Sequence, residues 1–197
     1  MAQGLRYPAS IVGRPPVDPF RPRRAVFLDR DGTIIDDVGY LRNPAQVRLL
    51  TGAAEGLRTL AAAGYLLVVI SNQSGLARGL ATPADLAAGH ERMAELLARE
   101  GVALAASYYC PYLAEGSVRE YVRTSDLRKP GPGMLLRAAW ELGLFLPLCW
   151  TVGDAARDVE AGAAAGTRTI RIGGTPEKGR FFADSLRAAA TIIVSAK

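Results

Sequence analysis

Short runs of consecutive apolar residues recur along this chain, each cut off by a polar residue or a glycine. Ala25–Leu28 (AVFL) stops at Asp29, and Tyr65–Ile70 stops at Ser71. Val102–Cys110, Leu148–Val152 and Arg168–Ile172, more mixed in composition, read as three further strands. Runs of this length without alternation predict strands buried on both faces. Helical spacing fills the intervals. Thr51 is placed to cap a helix ending at Gly64, with Leu57, Leu60 and Ala61 inward. Thr82, Pro83 and Asp85 form a helix start, and Leu86, Met93, Leu96 and Leu97 give its apolar stripe up to Gly101. His90 lies on that stripe and reads as a structural, half-buried histidine. Gly133–Leu142, Ala155–Ala165 and Phe181–Ala190 read as further helices, and Ile192–Val194 as a last short strand. Strands alternating with helices predict an α/β fold, a doubly wound Rossmann-like parallel sheet with helices on both faces.

Two segments stand outside that rhythm. Residues 1–24 hold five prolines and five arginines against one acid, Asp18, and read as an extended arm ahead of a single domain over 25–197. The segment 34–50 mixes Asp36, Asp37, Gly39, Asn43 and Pro44 with apolar residues and predicts a small hairpin or flap. The arm carries +4 of the formal net charge of +5, without aromatic interleaving, so nucleic acid is not an expected partner. The apolar runs are too short to cross a bilayer, and the first residues show no apolar core of a secretory leader. Cys110 and Cys149 are too few for a disulfide framework, which fits a reducing, cytoplasmic setting. A single histidine excludes any mechanism built on a histidine pair.

The chemistry gathers where strands end. Asp29 and Asp31 leave the first buried strand two positions apart, with Gly32 allowing the turn. Ser71 follows the second strand, Lys129 precedes a helix in RKPGPG, and Asp154 follows the fourth strand with Asp158 one helical turn on. In a doubly wound sheet these positions converge on one edge. Two carboxylates able to hold Mg²⁺, a fixed ammonium and a hydroxyl donor suit phosphoryl transfer, because a phosphate dianion repels a carboxylate nucleophile until cations intervene. A carboxylate nucleophile would give an aspartyl-phosphate, and Asp31 can protonate the leaving oxygen and later take a proton from water.

DRDGT, ISNQSG, RKPGPGM and VGDAARD resemble, in order, the four motifs of the haloacid dehalogenase superfamily of aspartate-nucleophile phosphatases. DRDGTII, Gly39–Leu41, SNQSGLARG and CPYLAEGSVREY resemble more narrowly the D,D-heptose 1,7-bisphosphate phosphatases and their histidinol-phosphate phosphatase relatives. The resemblance covers about Val26 to Gly174. It implies Asp29 as nucleophile, Asp31 as acid/base, and Mg²⁺ on Asp29, the Asp31 carbonyl and Asp154. It implies Ser71, Asn72, Gln73 and Lys129 around the phosphate, Arg128 on the rest of the substrate, and Asp158 supporting the site from behind. The family's zinc-binding pattern breaks here, since its later positions fall on Tyr112, Ser125 and Leu127. No structural zinc is therefore expected, and Tyr112, Leu113, Val118 and Tyr121 should pack that loop instead. Ala155 stands where relatives often place a polar residue after Asp154.

The expected protein is a capless, Mg²⁺-dependent phosphatase acting on a small phosphorylated metabolite, heptose bisphosphate first and histidinol phosphate second. A nucleic-acid 3′-phosphatase and a non-catalytic binding module are the lesser alternatives. A monomer or weak homodimer is expected, with an open pocket formed by 38–42, 71–78 and 111–128.

Overall fold

The strands expected from Ala25, Tyr65, Val102, Leu148 and Arg168 onward all join one sheet. The computed structural model describes residues 5–7, 22–174 and 181–196. The elements in chain order are β1 (Leu5–Tyr7), β2 (Ala25–Leu28), α1 (Ala53–Ala62), β3 (Leu66–Asn72), α2 (Pro83–Arg99) and β4 (Ala106–Cys110). They continue with α3 (Gly133–Leu142), β5 (Trp150–Gly153), α4 (Ala156–Ala165), β6 (Arg168–Ile172), β7 (Phe181–Ala183) and α5 (Leu186–Ser195). The sheet order is β1-β4-β3-β2-β5-β6-β7. All neighbours are parallel except β1, which adds antiparallel to the β4 edge with Leu5 opposite Tyr109. Part of the N-terminal arm thus completes the sheet edge.

The strand β2 is central and wholly buried. From it the chain winds through α1 to β3 and β4 on one side, while β5 and β6 lie on the other. The ends of β2 and β5 therefore flank the point where the winding reverses, the usual place for a ligand crevice in such sheets. Register fixes the level: Leu28 pairs with Val69 and Val152, and the Asp29 amide donates to the Val152 carbonyl at 3.0 Å.

Two cores follow from the alternation of faces. Leu57, Leu60, Leu86, Met93, Leu97, Leu186 and Ile193 cover Val26, Leu28 and Val69 on one side. Met134, Leu135, Ala138, Leu142 and Ala161 cover Phe27, Val68 and Ile70 on the other. The expected Thr82 capping box is present, with Asp85 Oδ2 accepting from the Thr82 amide at 2.8 Å. The 34–50 segment folds back as expected, with Ile35 bridged antiparallel to Leu49 and a short 3-10 turn at Pro44–Gln46. Among the described residues no segment forms a separate cap domain.

The structure corrects several boundaries. Ile192–Val194 is not a strand but the last part of α5, and Phe181 opens β7 rather than a helix. Ser185 caps α5 by accepting from the Ala188 amide, and Leu186, Ala189, Ala190 and Ile193 are buried at helical spacing. The β-branched run suggested a strand, but packing on α1 decides otherwise. That packing is close: a Cβ on Gly56 would lie 2.8 Å from the Leu186 carbonyl oxygen. In α1, Gly52 at φ +77° occupies the cap position instead of Thr51, and Ala61 faces solvent. The strand β3 runs on through Ser71 and Asn72, past the expected stop at Ser71.

Candidate active site

Asp29, the first residue beyond β2, is 3% exposed although it carries a carboxylate. Burial of a charge demands a partner. Lys129, on the loop before α3, supplies it: its Nζ donates to Asp29 Oδ1 at 2.7 Å and to the Ile70 carbonyl at 2.8 Å. The same ammonium lies 2.7 Å from Asp158 Oδ1 as a second ion pair. Burial alone would push the lysine's pKa down, but the charges of Asp29 and Asp158 outweigh it and hold the pKa above the ordinary value. The lysine is thus a fixed, desolvated positive charge.

The loop is held in place by Asn72. Its side chain donates to the Lys129 carbonyl at 2.9 Å and accepts from the Lys129 amide at 3.0 Å. Both the NH2 and the carbonyl of the Asn72 side-chain amide therefore serve the lysine's main chain. Gly131 and Gly133 allow the loop to close on itself, since a Cβ at either would lie within 2.7 Å of the Asp126 carbonyl oxygen.

Asp154 follows β5 and completes the cluster. Asp29, Asp154 and Asp158 each offer one oxygen, all within 4.8 Å of one another. Burial, then the charges of Asp29 and Asp158, push the Asp154 pKa up to about 6. Its Oδ1 is buried and finds no hydrogen-bond partner among the described residues. Asp29 and Asp158 are paired with the Lys129 ammonium, and Asp154 adds a third carboxylate beside them with no cation of its own in contact among the described residues. Gly32 makes room for this approach: it sits at φ +74°, and a Cβ there would lie 2.3 Å from Asp154 Oδ2. Gly153 does the same for Asp158, whose Cβ would be 2.4 Å away. A hard divalent cation fits an all-oxygen set of this kind.

Asp31 stands apart from this triad. Its carboxylate is gripped by Arg30, which donates through Nε and Nη2 to both oxygens at 2.9–3.2 Å. Gln73 Nε2 adds a bond to Asp31 Oδ2 at 3.0 Å and another to Ser71 Oγ at 2.9 Å. Burial pushes the Asp31 carboxyl upward despite the opposing charge of Arg30. Arg128 is half-buried, and its Nη1 reaches the Tyr112 carbonyl only at 3.4 Å.

The structure therefore brings Asp29, Lys129, Asp154 and Asp158 into direct contact range, and links Asp31, Gln73 and Ser71 in an adjoining network. Asp158 is wholly buried behind Lys129 and ion-paired to it. Sequence reasoning did not single out Arg30, whose signal was an arginine set between two acids directly after a buried run. It also passed over Arg171, whose Nε donates to the Asp154 carbonyl at 3.2 Å. In the segment expected to lack zinc, Tyr112 and Leu113 are buried, and the Arg123 guanidinium stacks 3.9 Å over the Tyr112 ring.

The chain is similar to several named enzymes. Residues 126–189 match the family described as HAD-hyrolase-like. A D-glycero-beta-D-manno-heptose-1,7-bisphosphate 7-phosphatase of Yersinia pestis is 40% identical over 154 residues, covering 77% of this chain and 82% of that protein. Its counterpart in Pasteurella multocida is 44% identical over 143 residues, covering 73% and 77%. The chain belongs to the heptose-bisphosphate phosphatase family of haloacid dehalogenase-like hydrolases. It is accordingly a phosphoric monoester hydrolase. Among solved structures, the D,D-heptose 1,7-bisphosphate phosphatase of B. bronchiseptica, complexed with magnesium and phosphate, superimposes with a TM-score of 0.77 at 30% identity. It covers 89% of this chain and 99% of that one. A HAD-like protein of Mesorhizobium loti reaches a TM-score of 0.85 at 32% identity, covering 99% and 95%. Family membership is thus carried by sequence and fold together. No helix among the described residues is long and apolar enough to cross a membrane.

Proposed function

We propose that this protein is a Mg²⁺-dependent phosphatase of D-glycero-D-manno-heptose 1,7-bisphosphate that works through an aspartyl-phosphate. The observation that carries this reading is the cluster of Asp29, Asp154 and Asp158 around Lys129 at the switch point of the sheet. The substrate comes from the relatives, which bear that activity in their names. Mg²⁺, held by Asp29, Asp154 and the Asp31 carbonyl, would neutralise phosphate charge and so let a carboxylate approach.

The residues divide the work. An Asp29 oxygen attacks phosphorus, the bond from phosphorus to the sugar oxygen breaks, and Asp31 gives that oxygen its proton. Water then attacks the phosphorus of the aspartyl-phosphate, Asp31 takes the water's proton, and Asp29 is released with inorganic phosphate. Lys129 steadies the charge on the transferring group, with Ser71, Asn72 and Gln73 shaping the same corner. Asp158 anchors Lys129. Arg128 reads the distal part of the substrate, its fork suiting a second phosphate better than a point charge would.

We take 25–197 as one phosphatase domain and 1–24 as an arm docked through β1, and place the protein in the cytoplasm as a monomer or weak homodimer. Both cysteines are free and buried, which supports a reducing setting.

The test is a phosphatase screen with Mg²⁺ over phosphorylated metabolites that include the heptose bisphosphate and histidinol phosphate. The heptose bisphosphate should give the highest kcat/KM, EDTA should abolish turnover, and Mg²⁺ should restore it. Arg128→Ala should lower kcat/KM for the bisphosphate by roughly 10–150-fold, the equivalent of a charge-assisted contact of ~1.5–3 kcal/mol. A small monophosphate should lose much less. Preference for histidinol phosphate, or equal losses with both substrates, would overturn the substrate assignment.

A further inference from the structure

Arg30 is 1% exposed, one of the largest buried side chains in the molecule. Its partner is its own sequence neighbour, Asp31. Consecutive residues in extended chain point apart, so their meeting requires the backbone to turn. It does: the amides of Thr33, Ile34 and Ile35 all donate to the Arg30 carbonyl, at 3.4, 2.9 and 3.1 Å. This turn folds Asp31 back onto the guanidinium, which grips both carboxylate oxygens.

The guanidinium is braced on its far side. It lies 5.8 Å from the Tyr109 ring, and the Tyr109 hydroxyl is 2.9 Å from His90 Nδ1 on α2. Arg30 Nη1 is buried and has no acceptor among the described residues. A buried arginine with an unmet donor is a poor device for stability, since an apolar side chain would fill the space without that cost. What only arginine can do here is hold a carboxylate at two points.

We propose that Arg30 is the positioning residue of the acid/base Asp31: it fixes the carboxylate in the one rotamer from which it can pass a proton to the leaving oxygen. Gln73 is the second brace, on Oδ2. This inference rests on the assignment of Asp31 as acid/base, and the test separates the two. A leaving group that departs readily, such as p-nitrophenolate, needs little help from an acid, whereas an alkoxide needs much. The first-step quantity kcat/KM is compared for p-nitrophenyl phosphate and an alkyl phosphate monoester, in the wild type, Arg30→Met, Arg30→Lys and Asp31→Asn.

Arg30→Met should lose about 10–100-fold with the alkyl ester and under about 3-fold with the nitrophenyl ester. Arg30→Lys, which keeps the charge but not the fork, should fall between it and the wild type. Competitive inhibition by inorganic phosphate should stay within about 2-fold in both variants, because the phosphate corner is untouched. A crystal structure of Arg30→Lys or Arg30→Met should show the Asp31 side chain in more than one rotamer. Equal losses with the two esters, while Asp31→Asn discriminates between them, would overturn the role of Arg30 alone. An Asp31→Asn that does not discriminate would instead overturn the acid/base assignment beneath it. If Arg30→Met does not fold, Arg30→Lys carries the comparison, and one fixed Asp31 rotamer with equal losses there refutes the proposal.

Discussion

Replacing Lys129 with methionine removes the one ammonium that lies between Asp29 and Asp158. The side chain is wholly buried, with its nitrogen 2.7 Å from both carboxylates and 2.8 Å from the Ile70 carbonyl. Methionine fills nearly the same volume, so the cavity contribution is small. The dominant effect is electrostatic. Two buried carboxylates lose their shared counter-charge, and breaking one side of a buried ion pair costs about 3–5 kcal/mol. That is a large part of the ~5–15 kcal/mol by which ordinary domains are stable. With a urea m-value of about 2 kcal/mol/M, the midpoint should fall by roughly 1.5–2.5 M. The assay is urea unfolding followed by circular dichroism in EDTA at pH 7.5. Adding Asp158→Asn to Lys129→Met should recover part of the loss, because it removes one stranded charge, giving a coupling of at least ~1 kcal/mol. A loss below ~1 kcal/mol for Lys129→Met, or a double variant less stable than Lys129→Met alone, would refute the electrostatic account of this cluster.

Asp29→Asn should keep the fold, measured by an unchanged circular dichroism spectrum, and reduce turnover to background, since uncatalysed phosphate monoester hydrolysis needs enhancements of up to ~10²¹. Gly32→Ala should weaken Mg²⁺ binding in a calorimetric titration by at least ~10-fold and lower stability by ~1–2 kcal/mol. Its φ of +74° is strained for alanine, and the new methyl group meets Asp154. Burial, assisted by the charge of Arg30, pushes the His90 pKa down from 6.5 to about 4. The unfolded chain therefore takes up a proton below pH 6.5 that the folded chain refuses until about pH 4, and stability falls as pH drops through this window. The contribution is about 2 kcal/mol between pH 7.5 and pH 5. His90→Gln should flatten that part of the urea midpoint's pH profile, and a profile unchanged by the substitution would count against it. Elemental analysis of the dialysed protein should find no stoichiometric zinc, and about one zinc per chain would contradict the reading of the 110–128 segment.

The order of elements and the catalytic candidates were legible because they depend on local rules. Four-residue apolar runs such as Ala25–Leu28 bury on both faces whatever surrounds them, and polar residues that end such runs must emerge at the sheet's edge. Asp29, Ser71 and Asp154 could therefore be set on one edge from sequence, with Lys129 beside them because it precedes a helix, and the capping box at Thr82 depends only on three neighbours. Other features required the third dimension. The β-branched residues of α5 favour a strand locally, and only packing against α1 through Gly56 makes them a helix. The pairing of Leu5–Tyr7 with β4 joins segments about a hundred residues apart, and no local period announces it. At the site, Asp29, Lys129 and Asp158 are distant in sequence, so their 2.7 Å contacts, and the strong electrostatics those distances bring, exist only once the sheet has formed. The grip of Arg30 on Asp31 is the opposite case of the same limit. The two residues are adjacent in sequence, yet extended chain would hold them apart, and it is the turn bonded to the Arg30 carbonyl that brings them together.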